Sequence, residues 1–367
     1  MALSKKILSP LHTSLLSFSN RIVMAPMNRR RAMNGVPSDA MVNYYGQRAS
    51  AGLIITDNTA IAANAIGYLN TPGIYNSQQR ESWKKVIEAV HKRNGKIFVQ
   101  LVHTGRIGHP LNHKDRMPLV APSDYAANET ILTSEGTYLP MPKPKVLSFE
   151  DTQELVQLFI HSAKNAMELG FDGVEIHAAH GFLIDQFLNP KSNNRTDSYG
   201  GNITNRSRFL MEIMEGVQAS IGKERTGVRL SPFAEINGLS TYNEEFEAHQ
   251  YITDELSKMD ILYIHLSNIG SKENYSISTN YIQEVRKRFK NLLIVTGGYS
   301  PKSAEITLRN NLADLIGFGK PYISNPDLVE RIRHNAPLAI PNKDTFYHGG
   351  ENGYIDYPVL YDNDKLP

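Results

Sequence analysis

Apolar runs rich in Val, Ile and Leu recur along the chain, separated by longer stretches with helical spacing. The runs fall at residues 21–27, 53–56, 96–102, 173–177, 226–230, 261–266, 292–296 and 314–318. They are near-continuous rather than alternating, which is the pattern of strands buried on both faces of a parallel sheet. Between them, residues 78–94 place Trp83, Val86, Ile87 and Val90 on one helical face, with Gly95 as a stop. Residues 149–169 repeat the pattern through Leu155, Leu158, Phe159, Ala163 and Met167. Ser148 stands three residues before Asp151 at the start, and Gly170 follows the end. Eight strand–helix units predict an α/β fold closed as a single (β/α)8 TIM barrel rather than an open, doubly wound sheet.

Two segments depart from a bare barrel. Residues before Arg21 predict a short N-terminal hairpin or cap over the barrel floor. Residues 104–147, rich in Pro and polar side chains, form a long insertion after the third strand. A connection of that length in a compact domain is usually functional. Its position over the catalytic face predicts a lid or channel wall. The whole chain, 1–367, fits one domain.

Composition narrows the classes. Hydrophobic residues make up 41% and charged residues 21%, an ordinary globular balance. The net charge of +2 gives no electrostatic case for nucleic acid or an acidic membrane as partner. There is no cysteine, which excludes disulfides, Cys-ligated zinc, Cys-held iron–sulfur clusters and a thiol nucleophile. No apolar stretch approaches bilayer length. A cytoplasmic enzyme, monomer or homodimer, is the expectation.

Active-site groups of a barrel come from strand C-terminal ends and the loops beyond them. Arg229 lies inside the fifth apolar run, where a guanidinium is costly without a partner. That partner is either a carboxylate or a bound anion or reduced cofactor. Gln100, inside the third run, needs hydrogen bonds for the same reason. Gly297, Gly298 and Gly319 follow the seventh and eighth runs, where backbone N–H groups commonly cradle phosphate, and Lys320 adds a compact charge. His177 and His180 end the fourth run. Two histidines without further ligands do not make a zinc site, so no metal is expected. Together they can donate hydrogen bonds to one oxygen and stabilise an enolate-like charge.

Several runs resemble one family. They include Ala25-Pro26-Met27, Gln47-Arg48-Ala49-Ser50-Ala51-Gly52, Gln100-Leu101-Val102-His103-Thr104-Gly105-Arg106, His177-Ala178-Ala179-His180-Gly181, Asn325-Pro326-Asp327-Leu328 and Phe346-Tyr347-His348-Gly349-Gly350. In this order, from about Asn20 to Leu360, the chain resembles the Old Yellow Enzyme proteins. The resemblance implies a tightly bound FMN across the barrel mouth, reduced by NADPH or NADH and reoxidised by a small electrophilic alkene. It implies Gln100 at the pyrimidine edge of the flavin, Arg229 near flavin N1, and Pro26, Met27, Gly297, Gly298 and Gly319 around ring and phosphate. His177 and His180 match the pair that grips the substrate's carbonyl or nitro oxygen, and Tyr68 and Tyr347 match aromatics lining the pocket.

Four positions depart from that pattern. Phe182 stands where the family places a proton-donating Tyr, two residues beyond the second His. That implies protonation from another source, slow reduction, or flavin-assisted isomerisation. Asn28 replaces a Thr near flavin O4. Lys320 replaces a phosphate-binding Arg, keeping charge but losing bidentate contact. Val102 stands where many relatives have Trp, so the pocket is expected to be roomier.

Overall fold

The computed structural model describes residues 5–269 and 277–360. Eight parallel strands close into a barrel in chain order. They are β1 (Ile22–Met24), β2 (Leu53–Ala60), β3 (Ile97–Val102), β4 (Gly173–Ala178), β5 (Thr226–Leu230), β6 (Tyr263–Ser267), β7 (Leu292–Thr296) and β8 (Leu315–Phe318), with β8 pairing β1. Helices α1 (Asp39–Gln47), α2 (Ser77–His91), α3 (Phe149–Leu169), α4 (Ile203–Ile221), α5 (Glu245–Lys258), α6 (Thr279–Arg288), α7 (Pro301–Arg309) and α8 (Leu328–His334) follow the successive strands.

Local chemistry sets the helix ends. The side chain of Asn76 accepts from the backbone of Gln79, which answers in kind, and this capping box starts α2. Ser148 and Asp151 form the same box at α3, and Gly170 ends that helix at φ 99°, a conformation costly for any residue with a Cβ. Both helices bury the expected faces, Trp83, Val86, Ile87 and Val90 on α2 and Leu155, Phe159 and Ala163 on α3.

Two strand lengths differ from the apolar pattern. β2 continues to Ala60, beyond Thr56, because Asp57, Asn58 and Thr59 are polar yet buried in the sheet. A bulge between Ile55 and Asn58 accompanies that polar run. β1 stops at Met24, which leaves Pro26 and Met27 on the loop beyond it. A proline has no N–H to extend the ladder.

The N-terminal hairpin, Leu11–His12 against Ser17–Phe18, places Leu16 and Phe18 on Val23, Leu53, Phe98, Tyr263 and Leu315, closing the barrel floor. Within 104–147, Val120–Ala121 pairs with Lys145–Val146, and Thr130–Leu132 pairs with Tyr138–Pro140. Ile107, Ala127, Ile131 and Met141 of this insertion pack on Val102 and Phe182, with Tyr68 against the cluster.

Candidate active site

A layer of polar side chains crosses the barrel. Gln100 on β3 and Glu175 on β4 are register partners, and the Gln100 amide donates to Glu175 Oε1 at 2.6 Å. The other oxygen, Oε2, lies 2.8 Å from His265 Nδ1 on β6, and His265 Nε2 lies 2.6 Å from Thr296 Oγ1 on β7. Gly317 on β8 makes this possible, since a Cβ there would lie 1.8 Å from the Thr296 hydroxyl.

Burial pushes the Glu175 carboxyl up, but His265, Arg229 and Gln100 together outweigh it and the net direction is down. Burial lowers His265 against the pull of Glu175. The pair therefore rests as a carboxylate beside a neutral imidazole. Nδ1–H of His265 donates to Glu175, and its Nε2 accepts from Thr296.

Arg229 on β5 sits in register with His177 on β4 and His265 on β6. It is buried, and its Nη2 donates to Ser267 Oγ at 3.1 Å. Among the described residues its Nε meets no hydrogen-bond partner. Burial brings the guanidinium down to about 10, with Glu175 acting in the opposite direction, so it stays charged at neutral pH. Burial, and then the charge of Arg229, hold both His177 and His180 well below the usual imidazole range. Both rings are neutral hydrogen-bonding groups.

The Ser267 hydroxyl lies 2.8 Å from His180 Nε2. Having accepted from Arg229, it donates to His180 and leaves the ring proton on Nδ1. The backbone of His180 is in the left-handed region, φ 60°. His180 N donates to Ser231 Oγ at 2.7 Å, Asn237 Nδ2 donates to His180 O at 2.8 Å, and Gly181 N donates to Asp185 Oδ2 at 2.8 Å. The His177 ring stands 5.1 Å from that of His180 and 4.9 Å from that of Phe182, which is 6.5 Å from Tyr68. His177 Nδ1 has no partner among the described residues.

Beside these groups opens a cavity of about 820 Å³. Pro26, Met27, Asn28, Arg229, Gly297, Gly298, Gly319, Lys320 and Tyr347 line it, with Ser267 and Thr296. Gln100, Tyr68, Val102, His177, His180 and Phe182 are not among its lining residues; Gln100 connects to it through Glu175, His265 and Thr296, His180 through Ser267, and Tyr68, Val102 and Phe182 form a cluster that His177 contacts at Phe182. The Asn28 amide donates to Thr71 Oγ1 at 2.9 Å, and its oxygen accepts from Arg30 N at 3.1 Å. Gly297 has φ 121°, and a Cβ there would lie 2.1 Å from Asn268 O. A cavity of this size, with the buried, charged Arg229 on one wall and a glycine-rich, Lys320-bearing wall, fits an anionic cofactor such as FMN.

Residues 6–339 match the model of the NADH:flavin oxidoreductase / NADH oxidase family. The chain belongs to this family. It is a flavin-dependent oxidoreductase of the Old Yellow Enzyme type, with FMN as cofactor. A 12-oxophytodienoate reductase 7 of Oryza sativa subsp. japonica is 36% identical over 96% of this chain and 94% of its own. A probable flavin mononucleotide-dependent alkene reductase of Leishmania infantum is 38% identical over 98% and 100%. Among solved structures, morphinone reductase superposes with a TM-score of 0.94 at 40% identity, covering 100% of both chains. The Old Yellow Enzyme homologue from Zymomonas mobilis does so with a TM-score of 0.92 at 37% identity, covering 97% of this chain and 100% of that one.

Glu175, His265, Ser267 and Arg30 join the site of this flavoenzyme only in the folded structure. Glu175 and His265 carry the signal that marks Arg229: a titratable side chain inside an apolar strand. Ser267 carries none, because a serine at a strand end is common.

Proposed function

We propose that the protein is an ene-reductase. It reduces the carbon–carbon double bond of α,β-unsaturated carbonyls and nitroalkenes, with NADPH or NADH as reductant. Bound FMN supplies a hydride relay between nicotinamide and alkene. Arg229 offsets the negative charge of the reduced ring. Pro26, Met27, Asn28, Gly297, Gly298, Gly319 and Lys320 hold ring and phosphate, and Gln100 shares its amide between Glu175 and the ring edge. Neutral His177 and His180 donate to the substrate's carbonyl or nitro oxygen, which stabilises charge that grows there as the alkene is reduced. Tyr68, Val102, Phe182 and Tyr347 line the substrate side, and the 104–147 insertion serves as its wall.

The observation that carries this reading is the buried Arg229, a charged side chain on the cavity wall whose guanidinium bonds Ser267 and, among the described residues, forms no ion pair and leaves its Nε unpartnered. Purified protein should be yellow and release about one FMN per chain on denaturation. Colourless protein that takes up no FMN on reconstitution would overturn it.

Phe182 supports a second reading, flavin-assisted isomerisation without net reduction. It packs on His177 with no hydroxyl to give, and the hydroxyl of nearby Tyr68 donates to Asn237 Oδ1 at 3.1 Å. Steady formation of one saturated product per nicotinamide consumed would exclude this reading for the substrate used.

A further inference from the structure

Arg29, Arg30 and Arg31 are consecutive, and they are used differently. Arg29 donates to the carbonyl oxygens of Phe346 at 2.9 Å and Gly353 at 2.8 Å. Arg31 donates to those of Gly350 at 2.7 Å and Thr345 at 2.8 Å. These two staple the C-terminal segment to the loop after β1. Arg30 sits between them at φ 53°, a backbone state that Asn28 fixes by accepting its N–H.

The Arg30 guanidinium carbon lies 5.2 Å from the Tyr68 ring centre and 4.9 Å from that of Tyr347. Tyr68 contacts Phe182, and Phe182 contacts His177. Tyr347 lines the large cavity. Arg30 therefore stands at the far edge of the cluster that begins at the paired histidines. Among the described residues its Nε has no partner, and no carboxylate forms an ion pair with it. Asp57 acts on Arg30 through space, without an ion pair between them, and burial pushes that carboxyl up.

A guanidinium clamped between two aromatic faces keeps its planar edge free for a bidentate acceptor. We propose that Arg30 recognises a carboxylate carried by the alkene substrate, on the side away from the oxygen held by His177 and His180. This rests on the ene-reductase reading of the same site. The preferred substrates are then activated alkenes bearing an acid group, such as 4-oxo-2-alkenoates. A phosphate of the nicotinamide donor is the competing anion.

The test uses holoenzyme with 4-oxo-4-phenylbut-2-enoate and its methyl ester. Binding to the oxidised enzyme is titrated by flavin absorbance, and turnover is measured beside it. Wild type should prefer the acid. Arg30→Gln should lower the acid-to-ester ratio of affinities about tenfold or more, the scale of a lost charge-assisted bond. Arg30→Lys should restore part of that ratio and report that the loop is intact. An unchanged ratio overturns the proposal. So does an effect confined to the rate of flavin reduction by NADPH against NADH, which would assign Arg30 to the donor's phosphate. If neither alkene is turned over, the ene-reductase reading fails, while the titration still decides on Arg30.

Discussion

Arg229 and His180 meet on one hydroxyl, that of Ser267, at 3.1 and 2.8 Å. The charge assigned to the flavin and the ring assigned to the substrate are thus fixed by one small side chain. Ser267→Ala removes both bonds and frees His180 to change tautomer. Binding of a simple enone should weaken about tenfold, the scale of a buried group left unpartnered. Flavin-absorbance titration checks this, and unchanged binding would show that Ser267 positions nothing.

Glu175 holds the polar layer together. Glu175→Gln leaves Arg229 buried without its nearest counter-charge and disturbs the bonds from Gln100 and His265. Breaking such a buried arrangement costs about 3–5 kcal/mol. Urea unfolding of the holoenzyme measures it, and a loss below about 1 kcal/mol would mean that Glu175 is not the anchor described.

Asp185 couples the His180 turn to pH. Burial raises its carboxyl to about 7, while Gly181 N–H still donates to it. The folded state keeps the proton to about pH 7 and the unfolded chain loses it near 3.9. Between these values the unfolded state binds fewer protons, so this group makes stability fall as pH rises, by up to about 1.4 kcal/mol per pH unit. Asp185→Asn should flatten the wild-type curve from pH 4 to 7. Parallel stability curves would remove Asp185 from the account.

The Phe182 ring lies 4.9 Å from that of His177, and under the proposed function it leaves the substrate side without a hydroxyl there. Phe182→Tyr should raise turnover of simple enones, by about tenfold or more if protonation limits the rate. Steady-state rates with the saturated product quantified check this. An equal or lower rate in a folded, FMN-loaded variant argues against a missing proton donor.

Much of this arrangement is legible in the chain because parallel strands are buried on both faces. Continuous runs such as 292–296 and 226–230 coincide with β7 and β5. Arg229 stands out because a guanidinium in such a run demands a partner. β2 is less legible, since Asp57, Asn58 and Thr59 imitate a loop while lying buried. The division of labour among Arg29, Arg30 and Arg31 cannot be read locally. It is decided by carbonyls of residues 345–353, more than three hundred positions later in sequence. The insertion's packing on Phe182 is likewise set by tertiary contacts, from Ile107, Ile131 and Met141.

The most direct test is an anaerobic experiment in two mixes. NADPH reduces the holoenzyme, and the reduced enzyme then meets one equivalent of 2-cyclohexenone. The account predicts that flavin absorbance bleaches in the first mix and returns in the second, with one cyclohexanone formed per flavin. Flavin that stays bleached while wild-type enzyme remains folded and loaded, with enone recovered unchanged, would contradict it.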